Sequence, residues 1–107
     1  MAQARPELVE FLLSELEDIP APSAKRFFGG WQILSEGRQF AIIMKGTVFF
    51  RVEGPLRAEL QDLGSRPFSY TKQGGAVAVP KYMSAPEDLF DDPELLNRWV
   101  RRVLTAT

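Results

Sequence analysis

The sequence contains no cysteine and no histidine. Their absence excludes disulfide bonds, thiolate nucleophiles, imidazole bases and the common zinc ligand sets. No serine lies in a G-x-S-x-G elbow, and nothing in the sequence marks Lys45 or Lys72 as an activated base. We therefore predict a non-enzymatic chain without a cofactor. An enzyme that uses carboxylates alone stays as a minor hypothesis, and it requires a second, buried carboxylate beside Glu87 or Asp91.

Long apolar runs and a strong net charge are also missing. The longest apolar runs, residues 40–44 and 48–50, are far shorter than the roughly 20 residues that cross a bilayer. The N-terminus is polar and lacks the apolar stretch of a signal peptide, so we expect a cytoplasmic protein without membrane contact. Residues 1–53 carry six cations and seven anions, and residues 54–107 carry seven of each. This balance predicts weak nucleic-acid binding at most, because such affinity depends on clustered cations.

The apolar pattern predicts one domain, residues 1–107, with three helices. A first helix begins near Pro6 and ends before Pro20 and Pro22. A short middle helix covers residues 54–64, where Gly64 closes it. The last helix begins at Pro93, after Asp92 as its cap. The predicted buried residues of the three helices are, in order, Leu8, Val9, Leu12, Leu13, Leu16 and Ile19; Leu56, Leu60 and Leu63; and Leu95, Leu96, Trp99, Val100, Val103 and Leu104.

Between the helices, a period of two predicts five strands, over residues 31–35, 38–44, 47–52, 68–72 and 76–79. Gly37 and Gly46 suit tight hairpin turns between the first three, and Pro80 is predicted to end the last. The result is an α+β fold, a two-layer antiparallel sheet of about five strands with helices on one face. Residues 40–50 are apolar on both sheet faces, so a helix or a second subunit should cover the other face, and a homodimer stays an alternative.

Two clusters suggest ligands and also have structural explanations. Gly29 and Gly30, beside Arg26, could bring backbone N–H groups close to an anion, but the sequence has no phosphate-loop motif and the pair suits a turn into a strand. Five carboxylates fall within eight residues without the spacing of a calcium loop. Charges of this sign stabilise a helix N-terminus, which we favour over a metal site. These carboxylates are Glu87, Asp88, Asp91, Asp92 and Glu94.

Three arginines form the clearest candidate surface. Arg98, Arg101 and Arg102 are spaced i, i+3 and i+4, so they lie on one helix face, where they could contact an acidic partner or a phosphate backbone. They also suit the negative end of the helix. Lys25 and Arg26 could extend the surface. Among the aromatics, Phe11 or Phe49 is expected to be exposed.

Several segments occur together along nearly the whole chain. Arg26-Phe27-Phe28-Gly29-Gly30-Trp31 is followed by Gly37, Phe40-Ala41-Ile42-Ile43, Gly46 and Val48-Phe49-Phe50-Arg51-Val52, and later by Pro67-Phe68, Tyr70, Tyr82, Asp92-Pro93-Glu94-Leu95-Leu96 and Trp99. In order and spacing they resemble the N-terminal domain of the TfoX competence regulators. Phe27 stands where that family usually has Met, a change that a core can absorb. The competence regulators also carry a C-terminal domain, so we expect a single-domain member.

The resemblance implies a sheet with N- and C-terminal helices, similar to type III secretion chaperones. It also implies a link to transcriptional control of DNA-uptake genes, where family members act with the cyclic-AMP receptor protein. The resulting hypothesis is a regulatory or adaptor domain that acts by contact with an unidentified protein. The alternative is a weak DNA-binding accessory protein that uses Arg98, Arg101 and Arg102.

Overall fold

A computed structural model describes residues 6–106 and has an α+β fold, as predicted. Its six strands form one antiparallel sheet in the order β1-β2-β3-β4-β6-β5, one strand more than expected. The elements in chain order are α1 (Glu7–Glu15), β1 (Pro22–Phe27), β2 (Gly30–Ser35), β3 (Arg38–Met44), β4 (Thr47–Arg51), α2 (Gly54–Asp62), β5 (Pro67–Lys72), β6 (Gly75–Ser84), a 3-10 helix (Glu87–Asp91) and α3 (Pro93–Ala106).

The helices pack on one face of the sheet, which we call the helix face. Its core joins apolar residues of α1, α2 and α3 to inward residues of the central strands. The Phe50 ring stacks on Trp99 of α3, with centroids 6.4 Å apart. The paired residues Ala41 and Phe50, and Ile43 and Val48, all belong to this core, so the register of β3 and β4 fixes which side chains meet the helices.

A β-bulge in β3 adds one residue to the core. Ile33 pairs with Ala41, but the next residue, Leu34, pairs with Gln39, so Phe40 has no partner between them. Phe40 and Ala41 are both fully buried in the same cluster. The extra residue turns Gln39 to the other face of the sheet.

Asn97 ties α1 to α3 inside the structure. Its side chain is 4% exposed. The Nδ2 group donates to the carbonyl oxygens of Glu15 and Pro93, both at 2.7 Å, and Oδ1 accepts from the N–H of Asp18 at 3.1 Å. Because these bonds satisfy the backbone where α1 ends, one polar side chain fixes how the chain leaves that helix.

The hairpin turns between β2, β3 and β4 confirm the glycine prediction. Glu36 and Gly37 have φ of 51° and 81°, and Lys45 and Gly46 have φ of 51° and 78°. Two consecutive positive φ values are the geometry of a type I′ turn, which only glycine adopts without strain at its second position. Gly64, with φ of 91°, likewise follows α2.

Four predictions about the helices and strands were wrong. β1 begins at Pro22, where no strand was predicted, and α1 ends at Glu15 rather than near Ile19, although Ile19 is buried. Leu63 lies beyond the end of α2 and is 58% exposed. Pro80 does not end β6, which runs on to Ser84.

Pro80 is tolerated because it lies in an irregular part of β6. Before it, Val79 pairs with Phe68 of β5; the next pair with β5 is Met83 with Pro67, while residues 82–84 also pair with β4. The register of β5 and β6 shifts at this place, so the missing N–H of proline interrupts no regular ladder.

No helix within residues 6–106 is long and apolar enough to cross a membrane.

Candidate binding surfaces

The sheet face opposite the helices, which we call the open face, forms an apolar groove of about 450 Å³. Ile42 alternates with the helix-facing Ala41 and Ile43, yet it has no exposed surface. Strands at both ends of the sheet contribute to the groove, so the sheet is curved around Ile42. The lining residues are Phe27, Phe28, Ile42, Met44, Phe68, Tyr70, Val79 and Tyr82.

A short polar network borders the apolar lining. The Tyr82 hydroxyl donates to Gln39 Oε1 at 2.9 Å, and Gln39 Nε2 donates to Gln32 Oε1 at 3.1 Å. The bulge at Phe40 is what places Gln39 on this face. The network satisfies the Tyr82 hydroxyl and holds its ring in the groove wall, 6.5 Å from the Phe27 ring.

Phe28 projects from the β1–β2 turn at the edge of the groove. It is 87% exposed, and its φ of 44° lies in the left-handed region that a bulky side chain rarely adopts. Its ring meets Phe27 edge-on at 4.8 Å. Left-handed backbone costs an L-residue about 1–2 kcal/mol, and so exposed a ring recovers little of that by burial. The position of Phe28 is therefore not explained by the stability of the fold.

Every charged residue in the six strands is cationic. The strands contain no Asp or Glu, while carboxylates occupy α1, α2, the 3-10 helix, α3 and the connections. The two halves of the sequence carry nearly equal numbers of cations and anions, but all the carboxylates lie in the helices and connections and none in the strands. The strand cations are Lys25, Arg26, Arg38, Arg51, Lys72 and Lys81.

The register places three of these cations, Lys25, Arg51 and Lys72, on the open face. Lys25 lies opposite Gln32, which in turn lies opposite Ile42. Arg51 pairs with Tyr82, and Lys72 follows Tyr70 in the alternation of β5. The Lys81 ammonium lies over the Tyr82 ring, 5.4 Å from its centroid. The apolar groove is therefore bordered by positive charge.

The predicted arginines of α3 lie on one side of the helix, and all three are paired with carboxylates. Arg98 contacts Glu94 at 3.3 Å, and Arg101 contacts Asp18 at 3.0 Å. Arg102 donates twice to Glu59, at 2.6 and 2.8 Å, and its guanidinium lies 4.5 Å from the Trp99 ring centroid.

The bidentate pair with Glu59 shifts the pKa of both partners. The hydrogen bond from Arg102 lowers the pKa of Glu59 below its ordinary value of 4.5, and the same bond raises the pKa of Arg102. The pairing of all three arginines lowers the net positive charge of this surface.

Arg26, the fourth predicted member, belongs to a different element. It extends from β1 over the ring of Trp31, 5.3 Å from the ring centroid, on the helix face of the sheet. It joins α3 in no ion pair that the structure describes. The predicted surface is thus one helical stripe with Arg26 on a separate strand.

The acidic cluster has a structural role at one residue. Asp92 Oδ1 accepts from the N–H of Leu95 at 3.1 Å, so Asp92 caps α3 as predicted. No group of three potential metal ligands occurs among residues 6–106. In the same range the buried polar residues are Ser35 and Asn97, so neither Glu87 nor Asp91 has a buried carboxylate beside it.

The two glycines Gly29 and Gly30 allow the backbone conformation of the β1–β2 turn and the start of β2. Gly29 has φ of 81° and completes the turn after Phe28. A Cβ on Gly30 would overlap the carbonyl oxygen of Ile43 and Sδ of Met44, so only glycine lets β2 approach β3 here. This geometry supports the turn interpretation of the pair.

Other residues from the segments that carry the family resemblance are distributed between both faces of the sheet. Phe40 and Trp99 belong to the core, Tyr70 and Tyr82 line the groove, and Gly37 and Gly46 lie in turns. Phe11, expected to be exposed, is 38% exposed on α1, whereas Phe49 is half-buried and its ring meets Phe68 at 5.3 Å.

Comparison with known families agrees with the resemblance seen in the sequence. Residues 13–107 match the family described as the TfoX N-terminal domain, which covers nearly the whole chain. The chain belongs to the TfoX N-terminal domain family. A comparison with curated proteins gave no match.

In this TfoX N-terminal domain, the segments on which the sequence resemblance rests contain most of the groove lining and one of its border cations, Arg51. Phe28, Tyr70 and Tyr82 all belong to these segments and line the groove. The sequence alone did not indicate that Met44, Val79 and the three open-face cations form one surface. The sequence does contain one signal of this basic surface, the absence of Asp and Glu from every strand. Charge counts over the two halves of the chain do not reveal it.

Proposed function

We propose that this chain is a non-enzymatic regulatory or adaptor domain that acts by contact with another protein, in the transcriptional control of DNA-uptake genes. Membership of the TfoX N-terminal domain family supports the regulatory class. The observation that carries the mode of action is the apolar groove on the open face, which no helix of residues 6–106 covers. Exposed apolar surface of this kind is typical of protein contact sites.

A genetic experiment tests the regulatory role. The gene is deleted in the source organism, and transcripts of DNA-uptake genes are measured in the deletion strain and after complementation with the wild type. We expect lower transcript levels on deletion, recovery on complementation and higher levels on overproduction. Transcript levels that change in none of the three strains would contradict the proposed function.

A second candidate function is weak DNA binding through α3. The side chains of Arg98, Arg101 and Arg102 keep 58%, 49% and 41% of their surface exposed, so phosphates can reach them. Their pairing with carboxylates weakens this surface, and three cations neutralise about three phosphates at most. The hypothesis predicts a mobility shift of duplex DNA at about 50 mM salt that is lost in the triple alanine variant, and unchanged mobility of the wild type rejects it.

A further inference from the structure

We propose that the open-face groove binds an acidic amphipathic segment of a partner protein, with an apolar side chain in the groove and carboxylates on its basic border. This inference rests on the proposed function, since it names the surface and the chemistry of the partner. It concerns the groove lined by Phe28, Ile42, Tyr70 and Tyr82, with Lys25 and Lys72 beside it.

The shape and lining of the groove fit an apolar anchor. The floor residue Ile42 is fully buried, while Phe28 and Tyr70 on the rim are 87% and 43% exposed. A volume of about 450 Å³ accommodates one or two large side chains of a helix or an extended peptide. Partners of this kind insert anchors into apolar grooves and leave their polar side at the rim.

The positive charge of the open face determines which charge the bound segment should carry. Lys25, Arg51 and Lys72 are on the open face, and the six strands carry no carboxylate to neutralise them. An acidic segment therefore meets opposite charge, and a basic one meets repulsion. Such complementarity sets specificity and speeds encounter.

The same charges argue against a second copy of this chain. A two-fold dimer joins identical patches, so it would place the cations of one open face against those of the other.

A selection from random peptides tests the proposal without a known partner. A phage-displayed library of peptides of about 16 residues, roughly 24 Å long when helical, is selected on the immobilised full chain. Selected peptides are synthesised, and their affinity is measured by fluorescence anisotropy at low and high salt. We expect enrichment of Asp and Glu together with Leu, Phe or Trp, and affinity that falls as salt rises.

Variants assign the binding to the groove. Phe28→Asn, and Lys25→Glu combined with Lys72→Glu, are each expected to weaken binding by about tenfold or more. Lys45→Asn changes the corresponding position of the β3–β4 turn, and Arg57→Glu changes a cation of α2, so both serve as matched controls that keep wild-type affinity. Circular dichroism confirms that each variant is folded.

Four results overturn the proposal. Selected peptides that show no excess of acidic residues, or that bind Phe28→Asn as tightly as the wild type, exclude the groove as an acidic-segment site. Self-association of the wild type that Phe28→Asn abolishes, without acidic peptides, assigns the groove to a second copy. Binding of oligo(dT) that Phe28→Asn abolishes, again without acidic peptides, assigns it to nucleic acid.

The genetic experiment separates this inference from the proposed function. If deletion lowers the transcripts and the Phe28→Asn allele restores them fully, the regulatory role stands and the groove inference fails. If the Phe28→Asn allele fails to restore them while the Lys45→Asn allele succeeds, both stand. If deletion, complementation and overproduction leave the transcripts unchanged while the peptides bind as expected, the proposed function fails by itself.

Discussion

Replacing Phe28 by Asn should stabilise the fold while it removes a binding residue. Phe28 is the first central residue of a type I′ turn, with φ of 44°, followed by Gly29. Asn-Gly is among the preferred pairs for this turn, because Asn adopts the left-handed region more readily than a bulky residue. Relief of part of a cost of about 1–2 kcal/mol should therefore raise the free energy of unfolding.

The loss of the ring offsets part of this gain. Its edge-on contact with Phe27 at 4.8 Å contributes about 0.5 kcal/mol, the lower end for aromatic pairs, because Phe28 is 87% exposed. The expected net gain is about 0.5–1 kcal/mol, which raises the melting temperature by about 2–8 °C in a domain of this size. Urea denaturation followed by circular dichroism measures it.

Lys45→Asn is the matched control for this prediction. Lys45 occupies the equivalent turn position, with φ of 51°, and lies outside the lining of the groove. It should gain a similar amount of stability without affecting peptide binding. If Lys45→Asn is stabilised and Phe28→Asn is destabilised, the Phe28 ring holds the fold together, and the argument that it is kept for binding is refuted.

Three further changes test the fold and its electrostatics. Asn97→Ala should lower the free energy of unfolding by about 2–4 kcal/mol in urea denaturation, because buried backbone groups lose their partners; a loss below about 1 kcal/mol would contradict this account. Gly30→Ala should cost about 1–3 kcal/mol because its Cβ overlaps the Ile43 carbonyl, and wild-type stability would show that β2 can move away. Since its pKa is lower in the folded state, Glu59 adds stability above its unfolded pKa of 4.5 that is lost as pH falls through the folded pKa. The stability difference between the wild type and Glu59→Gln should thus shrink as pH falls below 4.5, and a difference independent of pH would refute the role of the ion pair with Arg102.

The sequence predicted most accurately what depends on local backbone chemistry. Gly37, Gly46 and Gly64 have the positive φ values expected of them, and Asp92 caps α3. In these cases one residue acts on the adjacent backbone: a glycine permits a positive φ, and an aspartate accepts a hydrogen bond from an N–H group of the next helix. The α+β class followed because these local signals fix the order of helices and strands.

Predictions failed where a distant partner decides the outcome. β1, the edge strand Pro22–Phe27, is polar along much of its length, and pairing with β2 forms it against weak propensity. Arg101 and Arg102 were correctly placed on one helix face, but their carboxylate partners lie 83 and 43 residues away in sequence. The groove was missed for the same reason, because its residues come from strands far apart in the chain.

The short ladder between β6 and β4 has a mechanical consequence for the groove. Only three residue pairs join β6 to β4, whereas β5 and β6 share a longer ladder of their own, and β5 is largely exposed. The β5–β6 hairpin is therefore joined to the rest of the sheet by a short ladder only. We expect its amides to exchange with solvent sooner than those of β3. Phe68, Tyr70 and Val79 belong to this hairpin, so we expect its movement to widen or narrow the groove for partner side chains of different size.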